Sequence, residues 1–304
     1  MMRSILMTSV AAAMLLSGAA NASTVYNTSL PNVNTTVGSG TATTTTNANG
    51  TLTTVVGPSG GGNRVSAPFA SDKWLQSNVG ADASLGVTKT YARSGNGSAY
   101  FDGPTPQSQA GSGSKADLEY YFSQPLLLSD FVSATYDWFR DSSSTNNGIQ
   151  TASFRFLVNT AGLTLPTSTA LIFEPYYQGA PGNVATDQWV TSAIDGNSIF
   201  WNNNGVLANG SSGMFSSLSS IIAANSGLYV YGLSTGIGSG WDGHFTGAVD
   251  NIGYNFGARA DSFNFEVAAV GGAVPEPASW AMMIGGLGVV GASMRRRKVA
   301  MQFA

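Results

Sequence analysis

Short alternations of apolar and polar residues constrain the fold of this chain more than any other feature of its sequence. The stretches DLEYYF (117–122) and SFRFLV (153–158) place an apolar side chain at every second position. A period of two residues is typical of a β-strand with one buried face. Further strands are predicted at 98–102, 131–140, 170–176, 228–233 and 244–256, separated by turn-forming clusters such as DSSSTNNG and WNNNG. Because no helical segments alternate with these strands, the sequence predicts an all-β fold, a single two-sheet sandwich of jelly-roll or lectin-like type.

One segment departs from the strand pattern. In SGMFSSLSSIIAANSG, apolar residues recur at spacings of three and four, from Phe215 through Leu218 to Ile221 and Ile222. Gly227 follows them, as glycine commonly does after the last turn of a helix. We therefore expect one short helix here, lying across an opening of a sheet.

Composition excludes several classes of protein. The chain has no cysteine, so disulfides, iron–sulfur clusters, thiolate zinc sites and cysteine nucleophiles are ruled out. His244 is the single histidine, which rules out zinc sites that need two. Between residues 23 and 274 the chain has 8 basic and 15 acidic residues. Since an acidic surface repels phosphate, we expect no nucleic-acid partner.

The N-terminal segment has the pattern of a secretory signal. Residues 1–22 carry one positive residue, Arg3, then an apolar run that closes on Ala20-Asn21-Ala22. Small residues at these last positions are what signal peptidase requires. We predict cleavage between Ala22 and Ser23, which makes signal peptidase and the general secretion machinery partners of the precursor.

The C-terminal segment has the pattern of a short membrane anchor. Residues 278–294 carry no charge, and as a helix they would span about 26 Å, near the lower limit for a bilayer core. Arg295, Arg296, Arg297 and Lys298 follow directly and predict a cytoplasmic stop. The precursor is therefore expected to cross the inner membrane once, with most of the chain outside.

The residues around this span resemble a known sorting signal. Pro275-Glu276-Pro277, Trp280 within SWAMM, a glycine-rich apolar span and the basic cluster occur in fixed order. Together they resemble the PEP-CTERM sorting signal in its PEPxxWAMM variety. The resemblance implies a secreted protein of a Gram-negative cell, an exosortase that recognises the Pro-Glu-Pro segment and removes the tail, and therefore a transient anchor. It also implies a link with exopolysaccharide and biofilm.

These segments suggest a division of the chain into four parts. We expect a signal peptide at 1–22, a Thr/Gly/Asn-rich lead-in at 23–62, the β-sandwich at 63–270 and the sorting signal at 271–304. The lead-in is low in complexity and is either an extended stalk or the source of an edge strand near 51–56 that docks on the sandwich.

One acid is expected on an inward-facing position of a strand. In HFTGAVDNIGYNF, regular pleating points Asp250 the same way as Ala248, Ile252 and Tyr254. A buried carboxylate must be hydrogen-bonded, paired with a cation or turned outward by a bulge. We interpret Asp250 as a structural acid that accepts hydrogen bonds from loop amides; a structural Ca²⁺ site or ligand binding are alternatives. No other cofactor or metal is predicted.

Two tryptophans are candidate glycan contacts. Trp201 in IFWNNNG and Trp241 in GSGWDGHF lie at predicted loop edges. There a flat aromatic face can stack on a sugar ring while Asn and Asp bind its hydroxyls. The alternative is that both rings only close the edge of the core.

A catalytic constellation is hard to find. A Ser–His–Asp triad would need His244 with Asp242 or Asp250, and no GxSxG elbow is present. Paired carboxylates could hydrolyse glycosides, but Glu174 and Glu266 are far apart in the sequence. Asp117 and Glu119 would share one face of a strand, where they meet solvent or a cation. We therefore expect no catalytic residues and no enzyme.

The sequence favours an exported structural or adhesive protein of the cell surface or extracellular matrix, linked to exopolysaccharide and biofilm. A surface protein similar to a carbohydrate-binding module is the alternative. A third reading, a secreted glycan hydrolase, lacks a recognisable pair of catalytic acids.

Overall fold

A computed structural model describes the following parts of the chain: 22–30, 32–33, 43–46, 52–55, 72–79, 83–103, 115–159, 169–179, 182–202, 215–238, 241, 243–269, 284 and 286–287. For residues 32–33, 43–46, 52–55, 159 and 169 it describes the backbone only. The chain divides into two compact units, residues 1–267 and 268–304.

The described residues form 17 strands and, in the first unit, one α-helix. The strands are β1 (Ser23–Tyr26), β2 (Asn32–Val33), β3 (Thr43–Thr46), β4 (Leu52–Val55), β5 (Lys73–Ser77), β6 (Ser84–Thr88), β7 (Ser98–Gly103), β8 (Ala116–Leu127), β9 (Ser133–Arg140), β10 (Ser153–Asn159), β11 (Thr169–Phe173), β12 (Trp189–Ile194), β13 (Ile199–Asn202), β14 (Ser216–Ser217), β15 (Tyr229–Ile237), β16 (Phe245–Asn255) and β17 (Ala260–Glu266). The helix is α1 (Leu218–Ala224).

The strands form two large sheets. In sheet A the order is β1-β17-β16-β7-β6, with β9 also paired to β16 and β12 paired to β9. In sheet B the order is β14-β13-β11-β10-β15-β8-β5-β2. Pairing is antiparallel except for β1 with β17 and β2 with β5. β3 and β4 pair with each other in a separate two-stranded sheet.

The main core lies between sheets A and B. Tyr120 of β8 and Phe263 of β17 pack with ring centroids 4.9 Å apart, and Tyr136 of β9 and Phe154 of β10 pack at 5.6 Å. In β8 and β10, alternate residues point into this core, as the period of two predicts. The prediction of an all-β sandwich with one short helix is therefore confirmed in outline.

Sheet A forks along β16. Phe245–Val249 of this strand pair with β7, whereas Ile252–Asn255 pair with β17, and β9 runs along the other side with a bulge between Asp250 and Gly253. Asn251 has φ +48°, a left-handed conformation that Asn tolerates better than most residues. The bulge and the fork both lie at the predicted structural acid, Asp250. Val249, Ile252 and Tyr254 pack in the main core, so the bulge leaves Asp250 on the opposite face. The expectation that Asp250 points the same way as Ile252 and Tyr254 is therefore wrong.

Several predicted boundaries differ from the structure for identifiable reasons. The strand expected over 170–176 ends at Phe173, because Pro175 begins a 3₁₀ helix, Pro175–Gln178. The helix begins at Leu218, where Ser217 Oγ accepts the Ser220 amide, and Gly227 (φ +86°) follows its end. Leu218 is buried in the main core.

The lead-in contributes strands to the sandwich. β1 begins at Ser23 and pairs with β17, so sheet A already includes residues that the sequence places outside the sandwich. A strand does form within 51–56, as β4, but it pairs with β3 rather than with either large sheet. Residues 1–21, which include most of the predicted signal peptide, lie outside the described residues.

Most of the sorting signal also lies outside the described residues. This applies to Pro275, Glu276, Pro277 and Trp280, and to the basic residues Arg295, Arg296, Arg297 and Lys298. Within the predicted span 278–294 only Ile284, Gly286 and Leu287 are described, and they are helical. In the part of the chain that the structure describes, no helix has the length and apolar character needed to cross a membrane.

Candidate functional site

Trp201 lies on the outer face of sheet B, the face turned away from the main core. It is the third residue of β13 and pairs with Ile172 of β11. Its ring packs against a second hydrophobic cluster on that face, which includes Leu157, Ile172 and Tyr231. Since Trp201 is half-buried, part of the indole surface stays accessible at the end of the sheet.

A carboxylate holds this indole in place. Glu174 follows β11 directly, and its Oε2 accepts the Trp201 indole N–H at 3.1 Å. Burial raises the pKa of the Glu174 carboxyl, while the Trp201 hydrogen bond and the Arg155 charge act in the opposite direction. Glu174 thus places a hydrogen-bond acceptor beside an aromatic face.

Three further aromatic residues lie next to this pair. β14 pairs with β13 at Phe200 and Ser216, the residues next to Trp201 and Phe215 in the chain. The ring of Phe215 lies 4.4 Å from that of Tyr177, which contacts Tyr176 edge-to-face at 5.1 Å. Phe215 is 47% exposed. We call Trp201, Phe215, Tyr177 and Tyr176 the aromatic rim.

The backbone that carries the rim is fixed by one glutamine. Gln178 Nε2 donates to the Ile199 carbonyl at 3.0 Å, and Gln178 Oε1 accepts the Ile199 amide at 2.9 Å. Its side chain therefore ties the 3₁₀ helix to β13. Gly179 follows with φ +94°, which a residue with a side chain would adopt only under strain. The rim is therefore preorganised rather than carried by a free loop.

Part of the outer face of sheet B is a network of buried polar side chains. Arg155 pairs with Asp117 through Nη1 and donates from Nε to Ser153 Oγ at 2.9 Å. Lys115 Nζ lies 3.0 Å from the same aspartate. Asp117 and Glu119 do share one face, as the sequence predicts, but both are buried. Of the two surroundings that the sequence predicts for them, solvent or a cation, Asp117 has the cation, because Arg155 and Lys115 pair with it.

Only one of the two carboxylate oxygens of Glu119 accepts a hydrogen bond from a described residue. Tyr121 donates its hydroxyl to Glu119 Oε2 at 2.6 Å. Among the described residues, Glu119 Oε1 has no hydrogen-bond donor although it is buried. The outer face of sheet B therefore carries an acceptor that no described residue uses.

Trp241 lies in a different part of the molecule. It is half-buried against the main core, with its ring 5.3 Å from that of Phe245. A side chain at Gly238 would come within 2.9 Å of the Trp241 indole nitrogen. The structure does not bring Trp241 together with Trp201: they pack against different hydrophobic clusters, Trp241 against the main core and Trp201 on the outer face of sheet B.

Asp250 lies at the fork of sheet A and is fully buried. Its Oδ1 accepts the Phe265 amide at 2.9 Å, and its Oδ2 accepts the Ser94 amide at 3.3 Å. Burial raises the pKa of the Asp250 carboxyl to about 6, although the amides of Phe265, Asn251 and Ser94 lower it in part. The contribution of this acid to stability remains a prediction.

His244 does not have the geometry of a catalytic triad. Its Nε2 lies 3.1 Å from both Asp102 Oδ2 and Thr246 Oγ1. In a triad, the acid and the nucleophile engage opposite nitrogens of the ring, whereas here both partners share one. Asp250 binds backbone amides elsewhere, and Asp242 lies outside the described residues. The acid beside His244 is Asp102, which sequence reasoning missed.

The remaining sequence-predicted residues fall at the two ends of the chain. Ala22 and Ser23, the expected cleavage site, are both exposed. The Ser23 hydroxyl donates to Asp261 Oδ1 at 3.2 Å, beside the pairing of β1 with β17. Within the described residues, no three His, Asp or Glu side chains converge as a metal site requires.

Comparison with solved structures finds distant similarities. One is a family 11 carbohydrate-binding module from Clostridium thermocellum, described in complex with a β-1,3-1,4-mixed-linked tetrasaccharide; it is 11% identical, with a TM-score of 0.35, over 64% of this chain and 91% of that one. Another is the cellulose induced protein Cip1, 13% identical with a TM-score of 0.37, over 65% and 94%. A third is the family 11 module of the cellulosomal cellulase Lic26A-Cel5E of Clostridium thermocellum, 15% identical with a TM-score of 0.34, over 64% and 94%. At such TM-scores these similarities do not indicate what this chain binds.

Sequence comparison gives one specific result. No curated protein matches the chain. A family model does match its C-terminal region, and it covers the Pro-Glu-Pro segment, Trp280 and the basic cluster that the sequence singled out. The chain carries a PEP-CTERM protein-sorting motif at residues 273–298.

Proposed function

We propose that this protein is an adhesive component of the cell surface or extracellular matrix that binds polysaccharide through the aromatic rim of sheet B. The PEP-CTERM motif implies export and exosortase processing. The proposal adds that the tail is removed and that the sandwich remains outside as part of an exopolysaccharide-rich matrix or biofilm.

The observation that carries the binding proposal is the pairing of Trp201 with Glu174 at the rim. Aromatic faces stack on the apolar faces of sugar rings, and carboxylates accept hydrogen bonds from sugar hydroxyls. Trp201 and Phe215 supply partly exposed rings, and Glu174 lies beside them with a carboxylate. Because Gln178 and the β13 register hold these groups in place, little conformational entropy is lost on binding.

A surface substitution tests the binding proposal without disturbing the core. Phe215→Ser removes one exposed ring of the rim, and Val132→Ser is the matched control because Val132 is an apolar residue that is 55% exposed elsewhere. On a glycan array and on exopolysaccharide, we expect exported Phe215→Ser protein to bind about tenfold more weakly than wild type. Val132→Ser should bind like wild type.

Two results would contradict the proposal. If Phe215→Ser and Val132→Ser bind glycan equally well, the rim is not part of the binding site. If the wild-type protein binds no glycan, the sandwich is a passive matrix component, and only the sorting part of the proposal stands.

The sorting part has its own test. We expect mass spectrometry of exported protein, from a host with a matching exosortase, to find the peptide from Trp280 to Lys298 missing. Glu276→Ala, or deletion of 295–298, should leave precursor uncleaved or mislocalised, because these changes remove the charge in the Pro-Glu-Pro segment or the cytoplasmic stop. Asp261→Ala, which removes an acid from the sandwich, is the control and should be processed normally. A secreted wild-type protein that still ends at Ala304 would contradict exosortase processing.

A further inference from the structure

One of the two edges of strand β12 has no strand partner among the described residues. Trp189–Ile194 pair with β9 along one side. On the other side, β12 has no backbone partner among the residues that the structure describes. An open edge presents a row of free N–H and C=O groups that can pair with another chain.

This edge also lacks the features that usually prevent such pairing. Proteins protect exposed edges with charged side chains, proline, bulges or very short strands. β12 has six residues, and no charge or proline occurs from Gln188 to Ile194. By contrast, β14 and β2, at the two edges of sheet B, have only two residues each. The open edge of β12 is therefore longer than the edges of sheet B and suited to strand addition.

A cavity opens along the same edge. It has a volume of about 380 Å³ and is walled by Trp138 of β9, Phe173 and Tyr176. Val190 and Ser192, which point inward, line it, and so does Ala193, which points the opposite way. Because β12 residues of both orientations line the cavity, it reaches around the strand edge. A strand added there could place an apolar side chain between the two sheets.

We propose that the open edge of β12 accepts an extended, uncharged segment from the lead-in of a second copy of this chain, with an apolar side chain inserted into the cavity. This is strand addition with a side-chain pocket, a mode in which main-chain hydrogen bonds supply affinity and the pocket supplies specificity. The occupant is the hairpin of β3 and β4.

The lead-in has the chemistry that this edge requires. No charged residue occurs between Ser23 and Asn63, and the segment TLTTVV (51–56) is rich in β-branched residues. β3 and β4 form a sheet of only two strands, with no other strand paired to either among the described residues. Since a two-stranded sheet alone is marginally stable, the hairpin gains from joining a larger sheet.

The consequence of this contact is an open assembly. The hairpin and β12 are different surfaces, so each copy would donate to one neighbour and accept from another. Such head-to-tail contacts grow into chains unless their rotation closes a ring. The cavity and the aromatic rim share Tyr176, so strand addition and glycan binding meet at this residue.

Sedimentation velocity of the exported protein over a range of concentrations tests the proposal. Wild type should form concentration-dependent oligomers. Ala193→Lys, which adds a charge to the open edge at an exposed residue, should abolish them, and so should deletion of 43–56. Ser84→Lys adds the same charge at an exposed residue of another edge strand, β6, and should leave the oligomers unchanged.

Each alternative outcome overturns the proposal. A wild-type protein that is monomeric throughout excludes self-association, and oligomers that persist in Ala193→Lys exclude β12. Oligomers lost in Ala193→Lys but kept in the deletion would indicate pairing of β12 with itself. If Ala193→Lys fails to fold, titration of wild type with a synthetic 51–56 peptide decides instead, because Trp138 in the cavity wall should change its fluorescence on binding; no change at saturating peptide excludes this occupant.

Discussion

The outer faces of the two sheets use buried acids in different ways. On sheet A, both oxygens of Asp250 accept backbone amides of the same fold, from Phe265 and Ser94. On sheet B, Glu174 accepts the side-chain N–H of Trp201 beside the partly exposed aromatic rim. The first arrangement joins pieces of backbone, whereas the second orients a ring at the surface. The comparison suggests that sheet A's acids serve folding and that sheet B's rim serves recognition.

At its fork, sheet A is filled by a segment of the same chain. The segment 91–97 fills the fork between β7 and β17, where the Asn96 amide donates to Glu266 Oε2 at 2.6 Å and the Val267 amide donates to Asn96 Oδ1 at 2.9 Å. Gly95 has φ +127°, and a Cβ there would lie 1.8 Å from Glu266 Oε1. The Asn264 side-chain amide also donates to the Ser94 carbonyl at 2.7 Å, while among the described residues its buried Oδ1 has no donor.

The largest effect should come from removing the buried cation of sheet B. Arg155→Met removes one of the two cations paired with buried Asp117, which keeps Lys115 and the Asn78 side-chain amide as partners. Loss of one partner of a buried pair costs about 3–5 kcal/mol. Arg93→Met is the matched change on sheet A: Arg93 pairs with buried Asp137 at 2.9 Å, but its own side chain is 38% exposed. We expect the Arg93→Met change to cost about 1 kcal/mol or less. If urea unfolding shows the same loss of free energy of unfolding in Arg155→Met and Arg93→Met, the difference drawn between the outer faces of sheets A and B is wrong.

A smaller loss is expected at the fork of sheet A. Asp250→Ala leaves the Phe265 and Ser94 amides without their acceptor, which should lower the free energy of unfolding by about 1–3 kcal/mol. Asp261→Ala is the control, since Asp261 is only half-buried. Thermal unfolding of the two variants measures the difference, and equal melting temperatures would show that Asp250 contributes no more than a surface acid.

The pH dependence of stability should show a smaller effect at the same residue. The pKa of Asp250 is raised to about 6, above its value of about 3.9 in an unfolded chain. The native state therefore binds the proton more tightly, and this group's contribution to stability falls as pH rises from about 4 to 6, by at most about 1.4 kcal/mol per pH unit. In Asp250→Asn, the free energy of unfolding should no longer fall by this amount between about pH 4 and 6. If its slope against pH is the same as in wild type, the pH dependence comes from other groups.

Much of the fold could be predicted from local pattern. The alternations at 117–122 and 153–158 correspond to β8 and β10, because one face of each strand packs in the core. β12 was missed, since QWVTSAI mixes apolar and hydroxyl residues without clear alternation. Pro175 indicates that β11 ends before it and that a 3₁₀ helix can begin there. The prediction of a strand over 170–176 did not take this proline into account.

The candidate site was harder to predict because its parts meet through long-range register. Trp201 was identified as a candidate, but its partner Glu174 depends on the pairing of β11 with β13. Phe215 and Tyr177 come together only because β14 pairs with β13 and Gln178 holds the 3₁₀ helix there. The sequence equally could not distinguish Trp201 from Trp241, since both lie in similar polar loop contexts.

The most direct test of the account is therefore a comparison of these two tryptophans. Affinity electrophoresis of the exported protein in gels containing exopolysaccharide should show retardation that Trp201→Ala abolishes and Trp241→Ala retains. Trp241→Ala should instead lower the melting temperature, because its ring packs against Phe245 at the edge of the main core. If both variants are retarded like wild type, or if Trp241→Ala alone loses retardation while still folded, the assignment of recognition to the rim of sheet B is wrong.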